Sequence, residues 1–284
     1  MIELIIFNNL KSLFKKCFKY MANITSSISM EDISIVEYKR VDLKDSMLIV
    51  AFPTVGLISS IAGHYIIDSL KLEEIGSIVS RYFTPTTVIH KSIPSPPVRI
   101  YAGKKICGPD GSCEQIAVII SEFMPPLEII KPLVDKIFAW SEEKNCKIIV
   151  ALEGTHTVDT EKTKKLQVYG VGSTSIMKNT LKKYKVAQTQ EGMITGVTGV
   201  LLYGGVLTKR DVVCLLSEAH ASFPDSRAAG NLLEKLDVML PGIKIDPKPL
   251  YKEAENIEKN IRKFMEQSKP TAPALPPIPS SMYG

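Results

Sequence analysis

No run of 18 or more apolar residues occurs in this 284-residue chain, so the sequence offers no membrane-spanning helix. A phosphate-binding loop is missing as well. There is no G-x-x-x-x-G-K-[ST], and no G-x-G-x-x-G follows a strand-like run. The nearest glycine cluster, Gly192, Gly196 and Gly199, lacks the lysine or acidic ribose partner that such a loop needs. Glycines that let a helix lie close to a sheet account for it better. His64, His90, His156 and His220 are far apart, with no H-E-x-x-H or H-x-H spacing for a metal. No G-x-S-x-G elbow presents a nucleophile. On these grounds no cofactor and no resident metal are expected.

Charge of one sign is scarce over most of the chain. Residues 1–20 carry +3 of the formal net charge of +5, from Lys11, Lys15, Lys16 and Lys19 against Glu3. The remainder is nearly balanced, which argues against a nucleic-acid partner. The basic, apolar start MIELIIFNNLKSLFKKCFKY has three open readings: a membrane-surface helix, a targeting segment, or sequence upstream of the real start at Met21 or Met30. A poorly ordered extension, with no stable membrane insertion, is the preferred one.

The cysteines number five, and an odd count excludes a complete internal disulfide framework. Cys146 and Cys214 lie in apolar runs and read as small core residues. Cys107 and Cys113 bracket Gly108-Pro109-Asp110-Gly111-Ser112. Two unpaired loop thiols in a reducing cytoplasm are expected there, with a local disulfide as the alternative.

What the chain does have is alternation. Hydrophobic residues make up 45% of it, enough for a sizeable core. Ser46–Phe52, Gln115–Phe123, Cys146–Leu152 and Asp211–Ser217 are continuous apolar runs, the pattern of strands buried on both faces. Ile75–Phe83 and Gln167–Gly172 predict further strands. Leu57–Leu70, Leu127–Lys144, Ser173–Tyr184 and Asp225–Leu240 have helical spacing. Gly192–Lys209 reads as a loop leading into a buried helix. Strands alternating with helices predict an α/β class: a three-layer α/β/α sandwich with a mostly parallel sheet and one antiparallel hairpin near 88–122. The expected organisation is an extension over 1–30 and the α/β/α domain over 31–245. A charged helix follows over 246–269, its core at Pro249–Gln267, and a proline-rich tail over 270–284.

Two features carry candidate chemistry. Glu122, Glu153 and Glu218 each follow an apolar strand, and His156 and His220 lie close behind two of them. Strand carboxyl ends line the ligand crevice of open α/β sheets, so a small-molecule phosphorylase or hydrolase is one reading. The other feature is the end of the chain. Five prolines lie between Lys269 and Ser281, ahead of Met282-Tyr283-Gly284. Polyproline geometry would carry Pro270–Ser281 over roughly 35–40 Å. A tyrosine ring, a preceding apolar side chain and a free carboxylate on such a tether suit capture by another protein.

Met282-Tyr283-Gly284 resembles the hydrophobic-Tyr-X (HbYX) tail by which proteasome activators and assembly chaperones dock between α subunits of the core particle. The body resembles the archaeal proteasome assembly chaperone family, of the type named after the second eukaryotic chaperone subunit. The matching stretches are MLIVAFPTVGLISSIAGHYIIDSL (Met47–Leu70) and IGSIVSRYFTP (Ile75–Pro85), then Ser121-Glu122-Phe123 and Ala219-His220-Ala221-Ser222-Phe223-Pro224-Asp225. The resemblance covers roughly 45–240. It implies a phosphorylase/hydrolase-like fold without a demonstrated reaction, a homo-oligomer in the cytoplasm, and α subunits of the core particle as partners. The partner-binding residues it implies are Met282, Tyr283 and Gly284.

Overall fold

The computed structural model describes residues 28–90, 92–104, 106–107, 113–156, 167–219, 224–240, 244–249 and 263. The N-terminal extension, the body of the charged helix, His220 and the tail Met282-Tyr283-Gly284 lie outside the described residues.

In chain order, β1 (Ile33–Glu37) and β2 (Met47–Ala51) lead into α1 (Ile58–Ser69) and β3 (Glu73–Ser80). A small hairpin, β4 (Val88–His90) with β5 (Ile93–Ser95), precedes β6 (Val98–Ala102). Next come β7 (Ile106–Cys107), β8 (Cys113–Glu114), β9 (Ile116–Ser121) and α2 (Leu127–Glu143). Then follow β10 (Ile148–His156), β11 (Val168–Gly172), α3 (Ser175–Lys183), β12 (Ala187–Gln188) and α4 (Gly196–Thr208). The described body closes with β13 (Val212–Ala219) and α5 (Ser226–Val238).

Nine strands form one sheet in the order β1-β3-β6-β9-β2-β10-β13-β11-β12. Its centre, β9-β2-β10-β13, is parallel, and these are the continuous apolar runs of the sequence. β6 pairs antiparallel with β9, and β3 and β1 extend that flank antiparallel. β11 closes the other side antiparallel to β13. The predicted hairpin near 88–122 is therefore β6 with β9, to which the short β4–β5 hairpin is added. β7 and β8 set Cys107 opposite Cys113 in register.

Helices cover both faces of the sheet. Alternate residues of each central strand point to opposite sides. Ile49, Val118, Val150 and Val213 pack with α1, α3 and α5. Leu48, Ile119, Ala151 and Cys214 pack with α2 and α4. Full burial of a Leu or Ile side chain contributes about 1.5–3 kcal/mol, so these two clusters supply the main stabilisation. Helix starts are fixed locally. The Thr174 side chain accepts from Met177 N at 3.2 Å, and Asp225 accepts from Ala228 N at 2.9 Å. Proline supplies the N-cap of α2 at Pro126, as the paired prolines predict.

One strand was missed and one expectation is corrected. β1 was not anticipated, because ISIVE is short and half-exposed and carries little apolar periodicity. The helix expected to be buried over Gly192–Lys209 is α4, and one of its faces is open: Tyr203, Val206 and Leu207 are exposed.

Candidate functional site

The carboxyl ends of β9, β2, β10 and β13 lie side by side, and the turn after β2 closes that rim. Pro53-Thr54-Val55-Gly56 reverses the chain with Gly56 at φ 63° and Leu57 at φ 51°, the left-handed region that glycine adopts without strain. The turn is tied in from two sides. Gly154 N donates to Thr54 Oγ1 at 3.2 Å, and Asp225 N donates to the Gly56 carbonyl at 2.8 Å. The most distinctive stretch of the sequence thus anchors β10 and the start of α5 to the start of α1.

Glu122 follows β9 and points to the α1 side, where it is buried. The Arg99 guanidinium donates to its Oε1, and His64 Nε2 lies 3.2 Å from the same oxygen. Arg99 is 5% exposed and Glu122 3%. Arg99 also donates to Tyr101 Oη at 3.0 Å and to the Pro96 carbonyl at 3.2 Å. Burial pushes the Glu122 carboxyl up, but the charges and hydrogen bonds of His64 and Arg99 outweigh it and hold it at about 2. The group is a permanent anion inside a closed ion-pair cluster, unsuited to moving protons near neutrality.

Glu153 has the opposite environment. It lies on the α2/α4 side of β10, hydrogen-bonded by the Thr198 side chain and by Gly154 N at 3.3 Å. Burial raises its carboxyl to about 7, and these two hydrogen bonds lower it only in part. Glu218 shares that side of the sheet and accepts from Gln167 N at 2.9 Å. His156 is exposed and, three residues after Glu153 on the same strand, falls on the opposite face. The four candidates therefore divide between the two faces of the sheet, Glu153 and Glu218 on one and Glu122 and His156 on the other. Among the described residues no group of three His, Cys, Asp or Glu side chains could hold a metal ion. None of the described helices is long and apolar enough to cross a membrane.

Arg99 was not singled out by the sequence. The available signal was a lone cation between Val98 and Ile100 in an apolar strand that ends beside a buried glutamate, since such a charge needs a partner.

A PAC2 family model matches residues 48–265, and the chain belongs to that family. An uncharacterized protein of Methanocaldococcus jannaschii is 33% identical over 238 residues, covering 84% of this chain and 93% of the relative. The crystal structure of Pyrococcus furiosus PbaA, described as an archaeal homolog of proteasome-assembly chaperone, is similar at 28% identity and a TM-score of 0.71. That match covers 83% of this chain and 97% of PbaA. Pyrococcus furiosus PbaB, described as an archaeal proteasome activator, has the same fold at a TM-score of 0.67 and 22% identity, over 82% of this chain and 99% of PbaB.

Proposed function

We propose that this chain is a proteasome assembly chaperone or ATP-independent activator, not an enzyme. The observation that carries the reading is membership of the PAC2 family together with the 28% identity to PbaA over nearly the whole of that protein. The locking of Glu122 between Arg99 and His64 supports the non-enzymatic half, because acid–base catalysis needs a group free to exchange its proton near neutrality.

In this reading the α/β/α body self-associates and the C-terminal segment delivers Met282-Tyr283-Gly284 to pockets between α subunits of the core particle. The tyrosine ring fills a slot and its hydroxyl finds a hydrogen bond. Burial of Met282 adds about 1.5–3 kcal/mol. The terminal carboxylate is gripped by a cation or by backbone donors. One such tail binds weakly. Several on one oligomer bind tightly through effective concentration, by a factor of about 10²–10⁴.

Pull-down of core particles with the full-length protein and with Tyr283→Ala tests the reading. Capture by the full-length chain and its loss in Tyr283→Ala is expected. Equal capture by both removes the tail from the mechanism, and capture by neither removes the core particle as the partner.

A further inference from the structure

The end of the sheet opposite the strand-end carboxylates holds a cleft of about 460 Å³. It lies where α1 gives way to β3, beside the end of β6 and the start of β9. Val41, Leu70, Leu72, Ile75, Ala102 and Ile116 give it an apolar lining. Four of these are buried, so the core holds the lining in place. Lys71 and Lys104 also line the cleft; both are exposed, and neither forms an ion pair with a described residue. Glu73, the one lining acid among the described residues, is already engaged, with Lys39 Nζ 2.7 Å from its carboxylate. Hydrogen bonding and charge from Lys39, with a smaller contribution from Lys104, hold that carboxyl below its usual range. The neighbouring Glu74 accepts from the Tyr101 hydroxyl at 3.3 Å. Exposed Arg40, Asp42 and Asp68 lie on adjoining positions outside the lining. Gln115 is buried and donates from Nε2 to the Gly103 carbonyl at 2.9 Å, which fixes its amide.

The volume falls in the range of about 300–1,000 Å³ common to ligand sites. Apolar walls beside two unmatched ammonium groups suit an occupant with apolar side chains next to a negative charge. Met282-Tyr283-Gly284 has that composition: a thioether, an aromatic ring and the Gly284 carboxylate. The chain also leaves the described body close by. Ile245 is buried in the same cluster as Leu72, and the Tyr65 hydroxyl of α1 donates to the Asp246 carbonyl. Leu70 is five positions further along α1, about 7.5 Å of helix. Residues 250–281 separate that exit from Met282, and even a compact flexible chain of that length spans roughly 30 Å. The end of the chain can therefore return to the cleft.

We propose that Met282-Tyr283-Gly284 seats reversibly in this cleft of its own chain, an autoinhibitory contact that competes with capture of the tail by another protein. The contact presupposes the docking role of the tail proposed above, but not the identity of its partner. Met282 and the Tyr283 ring cover the apolar lining, and the Tyr283 hydroxyl donates to the Gln115 amide oxygen. The Gly284 carboxylate lies between Lys71 and Lys104, whose charged hydrogen bonds favour it. A tether of this kind gives an effective concentration of about 1 mM. A contact with an intrinsic dissociation constant of about 0.1 mM is then closed about nine-tenths of the time. A partner meets only the open fraction, so its apparent affinity for the tail is about tenfold weaker than for a free one.

The test is carboxypeptidase digestion followed by intact mass, which reads the release of Gly284 and Tyr283. The full-length chain is compared with Lys71→Glu/Lys104→Glu and with the remote control Lys178→Glu/Lys182→Glu on α3. Thermal melts establish that each variant is folded, and Lys71→Gln/Lys104→Gln replaces the glutamate pair should that variant melt early. The expected result is release about tenfold faster from the cleft variant and unchanged from the control. Equal rates for the full-length chain and the folded cleft variant overturn the proposal. Protection that vanishes on dilution gives the cleft to the tail of another copy and also overturns it. A labelled peptide of residues 270–284 supplies the second measurement. It is expected to bind the chain lacking residues 282–284 saturably, and about tenfold more weakly the full-length chain, whose own tail occupies the cleft. No binding to the shortened chain overturns the proposal. Core-particle capture reads the partner separately. Tighter capture of the cleft variant supports both readings, whereas protection of the tail with no capture by any chain supports the cleft and refutes only the core particle as partner.

Discussion

Glu122 follows β9 and Glu153 lies within β10, the two strands that flank β2, yet their surroundings drive them in opposite directions, and the pH dependence of stability follows. Glu122 is held at about 2, below the usual 4.5. Its stabilising contribution is complete above about pH 4.5 and is lost as pH falls toward 2. Glu153 is raised to about 7, so the folded state favours the neutral acid and stability falls as pH rises from about 4.5 through 7. Glu153→Gln is therefore expected to gain about 2 kcal/mol over the unaltered chain at pH 8 and little at pH 5, measured by urea unfolding. A gain of equal size at both pH values would contradict the assignment. Arg99→Met leaves a buried glutamate with only His64 beside it and is expected to cost about 3–5 kcal/mol at pH 7. Most of that loss should return in Arg99→Met/Glu122→Gln, since the double change removes the stranded charge.

At the scale of elements, the sequence was readable wherever one physical signal dominated. The four parallel central strands are the four uninterrupted apolar runs, because a strand covered on both faces has no polar side to alternate with. α2 begins beside its paired prolines and α5 at Asp225, as capping chemistry requires. β1 was illegible because an edge strand with one open face carries only a few buried residues. The candidate site was legible only in part for a related reason: alternation leaves Glu153 and Glu218 on one face and sends His156 to the other. Which face each helix covers depends on tertiary packing, so the separation from Glu122 emerged only in the structure. Gly192, Gly196 and Gly199 were expected to let a helix lie close to the sheet, but Gly192 and Gly196 have positive φ and Gly199 meets the Ile194 carbonyl; the close contacts of α4 belong to Gly204 and Gly205, and its apolar outer face was not anticipated either. Gly205→Ala tests the packing: the new Cβ would meet Val212, Ser173 Cβ at 3.0 Å and the Arg210 carbonyl at 3.1 Å. Alanine alone would favour a helix by up to about 1 kcal/mol. Crowding on three sides should outweigh this and leave a net loss of about 1–2 kcal/mol by thermal or urea unfolding. A net gain would show that the helix and sheet are less tightly apposed than described.

For the whole molecule, the two faces of the sheet differ in what they expose. The α2/α4 face exposes Tyr203, Val206 and Leu207, and residues 244–249 lie on the α1/α5 face. In the proposed reading, several tails on one oligomer would turn a weak three-residue contact into a stable one. The most direct measurement of the central claim is co-sedimentation of the full-length chain with proteasome core particles, with and without residues 282–284. Binding by the full-length chain, reduced at least tenfold on removal of Met282-Tyr283-Gly284, is the predicted result. Undiminished binding by the truncated chain, or no binding by either, would contradict it.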